Sequence, residues 1–215
     1  MATVGTLAAN AIASAYASSK NMTAITNAAN AVATLEASHG VAVGEYVEIT
    51  SGWDLLNGRI ARATGVATND VTLGNIDTSS TTLYPVGSGT GTVREISTWT
   101  NLSQISPDWT VSGGDQNFAD TTFVSNLIRQ RIPTDRNPIE ITLPYFYDQT
   151  LSWLTAVRGV SQSSTSAAVR MTFPNGSILV ANGYWSLRDV PTVEDGTLRG
   201  EITLSIIGLP TVYSS

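Results

Sequence analysis

Few residues of this chain could do covalent chemistry, and their spacing ties none of them into a catalytic set. His39 is the single histidine and there is no cysteine. Thiol nucleophiles, Cys-ligated zinc and disulfides are therefore excluded, and no second histidine can complete a His-based metal site. A Ser-His-acid triad would need a serine that no local signature identifies, so Ser38-His39-Gly40 reads as a turn. Gly87, Gly89 and Gly91 have the density of a phosphate loop, but a strand pattern follows them and no Gly-Lys-Ser/Thr does; they read as a flexible loop. Carboxylates for a glycosidase could come from Glu45, Glu48 and Asp54, or from Glu194 and Asp195. With 17 acidic residues such pairs arise by chance, and neighbours on a strand point to opposite faces. No catalytic residue, metal or cofactor is expected, and the chain reads as a non-enzyme.

The five tryptophans, Trp53, Trp99, Trp109, Trp153 and Trp185, could stack sugars, which makes a surface adhesion or carbohydrate-binding β-sandwich the rival reading. Their spread along the chain favours core and interface packing, with Trp153 and Trp185 as the candidates. The basic residues are almost all arginine, and the net charge is −6. Arg129, Arg131 and Arg136 share one segment with Asp135, too few for a phosphate-tracking surface, so specific nucleic-acid binding is not expected. No apolar run reaches the roughly 18 residues of a membrane span, and the first residues lack the early positive charge of a secretory signal. Charged residues are only 13% of the chain, against about 25% in an average soluble domain. A sparsely charged, Thr-rich surface is expected where neighbouring copies cover it.

The elements that would hold these residues are mostly strands. Residues 1–21 form an Ala- and Ser-rich N-terminal arm with Leu7, Ile12 and Tyr16 as its large apolar groups, open to either a helix or an arm that orders on assembly. From Met22 to Thr98, six short alternating runs (MTAIT, AVATLEA, EYVEIT, GRIARATGV, DVTLG and GTVREIS) predict a small antiparallel β-barrel-like module. Residues 78–92 read as an exposed loop running back into its last strand. The remainder, 99–215, reads as a second β domain: a strand in WTNLSQIS, a long ordered excursion through Phe123, Arg129, Arg131 and Arg136, a strand in IEITLPY, and a short helix in QTLSWLTAV capped by Asp148.

The closing segment, AAVRMTFPNGSILVANGYWSLRDVPTVEDGTLRGEITLSIIG, carries the clearest pattern. Val169, Met171 and Phe173 alternate with polar or small residues, Pro174-Asn175-Gly176 turns the chain with residues that tolerate positive φ, and a returning strand follows. Ile202, Leu204 and Ile206 then oppose Glu201, Thr203 and Ser205 on a third strand.

From Trp99 to Pro210 this order of strand, SWLTAV helix, F-P-N-G turn, G-Y-W strand and terminal strand ending Gly-x-Pro resembles the major tail tube proteins of long-tailed, non-contractile bacteriophages. The resemblance implies a mainly β, tail-tube-type antiparallel sandwich or barrel with one short helix, here with a smaller N-terminal β module. It implies a structural virion protein whose subunits form stacked, hexameric rings, a conduit for genome ejection into the host. The partners implied are further copies of itself and other tail proteins (tape measure, terminator, tail tip), with DNA passing unbound and no membrane insertion. The location implied is the phage tail, assembled in the host bacterial cytoplasm. On period-two logic Glu140, Thr142, Glu201, Thr203 and Ser205 would then face the lumen, and Phe123, Arg129, Arg131 and Arg136 would belong to an inter-ring loop. Those arginines read equally as inter-ring salt bridges or as a solvated loop face.

Overall fold

The computed structural model describes residues 9–123 and 127–214. Residues 1–8 of the arm, with Leu7, and residues 124–126 of the excursion lie outside the described residues. In chain order the first seven strands are β1 (Ala9–Tyr16), β2 (Lys20–Ile25), β3 (Val32–Leu35), β4 (Tyr46–Ser51), β5 (Ile60–Ala67), β6 (Asp70–Gly74) and β7 (Gly91–Leu102). Then come β8 (Thr110–Ser112), β9 (Gln116–Asp120), β10 (Arg131–Arg136), β11 (Glu140–Phe146), α1 (Ser152–Ser163), β12 (Ser166–Thr172), β13 (Ile178–Leu187), β14 (Thr192–Glu194) and β15 (Thr197–Tyr213). The fold is mainly β, as the alternation predicts.

The six alternating runs become β2 to β7, and these close on themselves. Their order is β2-β3-β6-β5-β4-β7, and β7 returns to β2 through Lys20 opposite Val93. Closure removes the free edges that would otherwise expose unpaired backbone. Inward residues such as Met22, Leu35, Val47, Ile49 and Leu73 are buried, each contributing roughly 1.5–3 kcal/mol by leaving water. At Gly91 a Cβ would collide with the Thr50 carbonyl, so the close approach of β7 to β4 needs glycine. The 78–92 segment is mostly exposed, as its composition suggests, but it is anchored at a few points. Tyr84 and Gly89 are buried, Tyr84 in the barrel core, and Trp53 donates its Nε1 hydrogen to the Pro85 carbonyl at 2.8 Å, so this loop is pinned to the barrel.

β7 is continuous from Gly91 to Leu102 and leaves the barrel to enter a second sheet, ordered β7-β1-β12-β13-β15-β11-β8. The arm thus contributes neither a helix nor a loose extension over Ala9–Tyr16. It is a strand paired on both sides, with Ile12 opposite Val169 of β12 and Thr100 of β7. The barrel is therefore spliced into the sheet between two adjacent strands, β1 and β7.

One face of this sheet packs on α1, and side chains from β1, β7, β11, β12, β13 and β15 share a core with Trp153, Leu154 and Val157. Tyr145 meets Trp153 edge to face at 5.0 Å. The helix starts later and runs further than QTLSWLTAV suggests. Asp148 does not cap it: the carboxylate accepts the Thr150 amide at 2.9 Å and hydroxyl at 2.8 Å in a local turn, and Leu151 occupies the N-cap without a side-chain bond. Ser164 ends the helix in the left-handed region, at φ 53°.

The opposite face meets the barrel along β1, β12 and the ends of β13 and β15. Ala13, Ala168, Val180 and Tyr213 pack there against Tyr46, Ile60 and Ile96. Polar bonds fasten the same junction: Arg94 holds Glu48 at 2.8 Å, and Asn182 donates to the other Glu48 oxygen at 3.1 Å. The Tyr213 hydroxyl accepts the Arg62 amide hydrogen at 2.7 Å and donates to the Gly74 carbonyl at 3.0 Å.

Candidate functional site

Beyond the barrel junction, the second face of the sheet is uncovered, and it carries every lumen candidate. β11 and β15 pair in register, setting Glu140 opposite Ser205, Thr142 opposite Thr203, and Pro144 opposite Glu201. Because cross-strand partners share a face, all five candidates lie on one surface. The alternating residues Ile141, Leu143, Ile202 and Leu204 turn inward to the α1 core. β8 extends the polar rows with Thr110 beside Thr142 and Ser112 beside Glu140; β13 extends them with Ser186 beside Thr203 and Tyr184 beside Ser205. These four neighbours escape sequence reading because register between distant strands is not written in either strand alone. The alternation of Tyr184 and Ser186 with Trp185 and Leu187 is the signal that marks half of them.

Glu140 and Glu201 share the face but not a site. Four residues along β11 separate Glu140 from the partner of Glu201, roughly 13 Å of strand, beyond the carboxylate spacing of either glycosidase mechanism. Arg188 and Arg199 line a cleft of about 150 Å³ with Glu201. Arg199 lies 3.5 Å from Glu194 and over the Phe146 ring at 5.0 Å, so the Glu201 end of the face mixes both charges, while Glu140 forms no ion pair among the described residues.

The other chemical candidates fall into structural roles. His39 accepts the Val41 amide on Nδ1 at 3.1 Å, leaving Nε2 to donate to the Thr68 carbonyl at 3.0 Å and clasp two barrel turns. Glu48 belongs to the barrel junction. Trp53 lies in the barrel core, Trp153 and Trp185 in the α1 core with Trp109 against it, and Trp99 at the junction, so no stacking platform forms. Among the described residues no group of three or more His, Asp or Glu converges on a point. At the Pro174-Asn175-Gly176 turn only Gly176 takes positive φ, 81°. The Asn175 side chain instead accepts the Ser177 amide and hydroxyl at 3.1 and 2.7 Å.

The excursion is ordered as a separate two-stranded ribbon, β9 paired with β10, attached to neither large sheet. Phe123, Arg129, Arg131 and Arg136 are all exposed on it or on its connecting segment. Arg136 Nε donates to Gln116 Oε1 at 3.0 Å. Hydrogen bonds from Thr122 hold the Asp120 carboxyl below its ordinary pKa, and the Thr134 hydroxyl does the same for Asp135.

No helix of the described residues is long and apolar enough to cross a membrane. A comparison with curated proteins finds no match. Among solved structures the chain is similar to the anti-feeding prophage cap, described as the tube terminating cap and determined by cryo-electron microscopy. The identity is 15% and the TM-score 0.32, over 49% of this chain and 79% of that one. A family model described as phage tail tube protein, TTP, matches residues 51–215, well over half of the chain and all of the strands that build the polar face, and the chain belongs to the phage tail tube protein family.

Proposed function

We propose that this tail tube protein polymerises into stacked, hexameric rings and that the uncovered face of β8, β11, β15 and β13 lines the resulting conduit. The observation that supports this most is the character of that face. It is wide, hydroxyl-rich, sparsely charged, free of reactive groups, and backed by a helix-filled core that fixes its strands. A surface of that kind lets a polyanion pass without gripping it, and the Glu140 carboxylate repels it. Glu140, Thr142, Glu201, Thr203 and Ser205 are the lumen residues on this reading, and the β9–β10 ribbon with Phe123, Arg129, Arg131 and Arg136 reaches the next ring. The subunit acts by shape and charge, without catalysis or cofactor. It assembles in the host cytoplasm with tape measure, terminator and tail-tip proteins and serves genome ejection.

Negative-stain electron microscopy of the purified protein across a concentration series tests the reading. Hollow tubes or stacked rings with an open centre are the expected result. A protein that stays monomeric throughout, and that binds glycans in a screen, would overturn it in favour of an adhesion module.

A further inference from the structure

The carboxamide of Asn175 carries two hydrogen-bond donors on one oxygen. Its Oδ1 accepts the Ser177 amide at 3.1 Å and the Ser177 hydroxyl at 2.7 Å, and both draw electron density from Cγ. The next backbone nitrogen belongs to Gly176, which has no side chain to shield it, and both residues are exposed. That nitrogen donates to the Phe173 carbonyl at 2.9 Å. The bond lies in the peptide plane, whereas the nitrogen attacks through the lone pair perpendicular to that plane, so this bond does not block attack. We propose that Asn175 is a self-modification site, converted to aspartate and isoaspartate with Ser177 polarising the carboxamide. The Gly176 nitrogen gives its proton to hydroxide and bonds to Cγ of Asn175. The bond from Cγ to Nδ2 breaks, and the leaving nitrogen takes a proton from water and departs as ammonia. Water then opens the five-membered imide at either carbonyl. Each event adds one negative charge to the turn, taking the chain from −6 to −7, and the isoaspartate product also adds a backbone carbon between β12 and β13.

The fold holds back the other sequences of this type, Asn57-Gly58, Asn182-Gly183 and Asp195-Gly196. Asn182 and Gly183 are buried away from hydroxide. The Asn182 Nδ2 is held by Glu48 at 3.1 Å, and its Oδ1 accepts the amide hydrogen of Gly183 itself at 3.0 Å. Asn57 Oδ1 accepts a single, longer bond from the Ser51 amide at 3.2 Å, and Gly58 is followed by the buried Arg59, which ring closure would have to drag out of place. Asp195 is exposed, but a carboxylate is a far poorer electrophile than a carboxamide. Exposure, activation and an unshielded nitrogen coincide at Asn175.

Peptide mass spectrometry of the folded full chain, incubated in mildly alkaline buffer, tests the proposal. Trypsin cuts after Lys20, Arg59, Arg170 and Arg188, so Asn57 leaves on peptide 21–59 while Asn175 and Asn182 share peptide 171–188 as an internal comparison. Asn175 is expected to convert while Asn57 and Asn182 stay intact, with isoaspartate among the products. Ser177→Ala is expected to slow the conversion about twofold to fivefold, the worth of one solvated hydrogen bond. Ser177→Thr, which keeps the hydroxyl, is expected to hold the parental rate. In urea the effect of Ser177→Ala is expected to vanish and Asn57, Asn175 and Asn182 to react alike. An Asn175 that stays intact, an Asn57 or Asn182 that converts as fast in the folded chain, or a Ser177→Ala variant that reacts at the parental rate or faster would overturn the proposal.

Discussion

Asn182 donates a hydrogen bond to Glu48 across 134 residues of sequence, Nδ2 to Oε1 at 3.1 Å, with both side chains buried. This contact joins the barrel to the sheet, because Glu48 lies on β4 and Asn182 on β13. Its second carboxylate oxygen is held by Arg94, whose guanidinium also lies over the Tyr16 ring at 4.0 Å.

Removing one side of that contact leaves a buried charge short of a partner. Asn182→Ala is expected to cost about 1–2 kcal/mol, and Glu48→Ala, which also strands Arg94, about 2–4 kcal/mol. Urea denaturation of the two single variants and the double variant checks this. A double-variant cost equal to the sum of the singles would show that the pair is not coupled.

Tyr16 makes the fold sensitive to alkali. Burial is the largest influence on it and pushes its pKa from 10.0 up to about 12, against the opposing effect of the Ala168 amide that its hydroxyl accepts at 2.9 Å. The folded value lies above the unfolded one, so the contribution is complete below pH 10 and is lost as pH rises through about 12. Two units correspond to about 2.7 kcal/mol. Tyr16→Phe is expected to cost about 1 kcal/mol at neutral pH, by orphaning the Ala168 amide, and to flatten the fall in melting temperature between pH 10 and 12. Tyr213, raised mainly by burial as well, keeps some of the slope.

Gly200 is buried under Tyr145, and a Cβ there would overlap the Tyr145 ring. Gly200→Ala is expected to destabilise by about 1–3 kcal/mol, because the ring sits between this glycine and Trp153 and has little room to move. Thermal melting reads the loss. A variant as stable as the parent would mean the ring relaxes at no cost.

Reversing charge on the polar face separates assembly from passage. The double variant Glu140→Lys, Glu201→Lys is expected to form tubes of normal appearance but to slow or stall DNA ejection from virions, since cations would now grip the phosphates. Normal ejection kinetics would remove these two residues from the lumen.

Period-two alternation makes the strands of the barrel and the closing hairpin legible, and QTLSWLTAV marks the helix. β1 was not legible, for a physical reason. ANAIASAY is mostly small residues, with Ala13 packing at the junction beside Tyr46 and Trp99, and small residues carry little strand preference. The β9–β10 ribbon was hidden by the reverse problem: with both faces apolar and arginines between, it shows no alternation. The polar face was half legible. Glu140, Thr142, Glu201, Thr203 and Ser205 follow from strand period, but Thr110, Ser112, Tyr184 and Ser186 join them only through register.

The splice of the barrel between β1 and β7 also sets an order of events during synthesis. The barrel strands are close in sequence and emerge early, so their contacts form at small loop-closure cost. β1 emerges before them, yet its outer partner β12 is made more than 150 residues later, Ala9 waiting for Thr172. The closed barrel holds β7 ready beside it, and the sheet is completed only once β15, which joins β13 to β11, has been made.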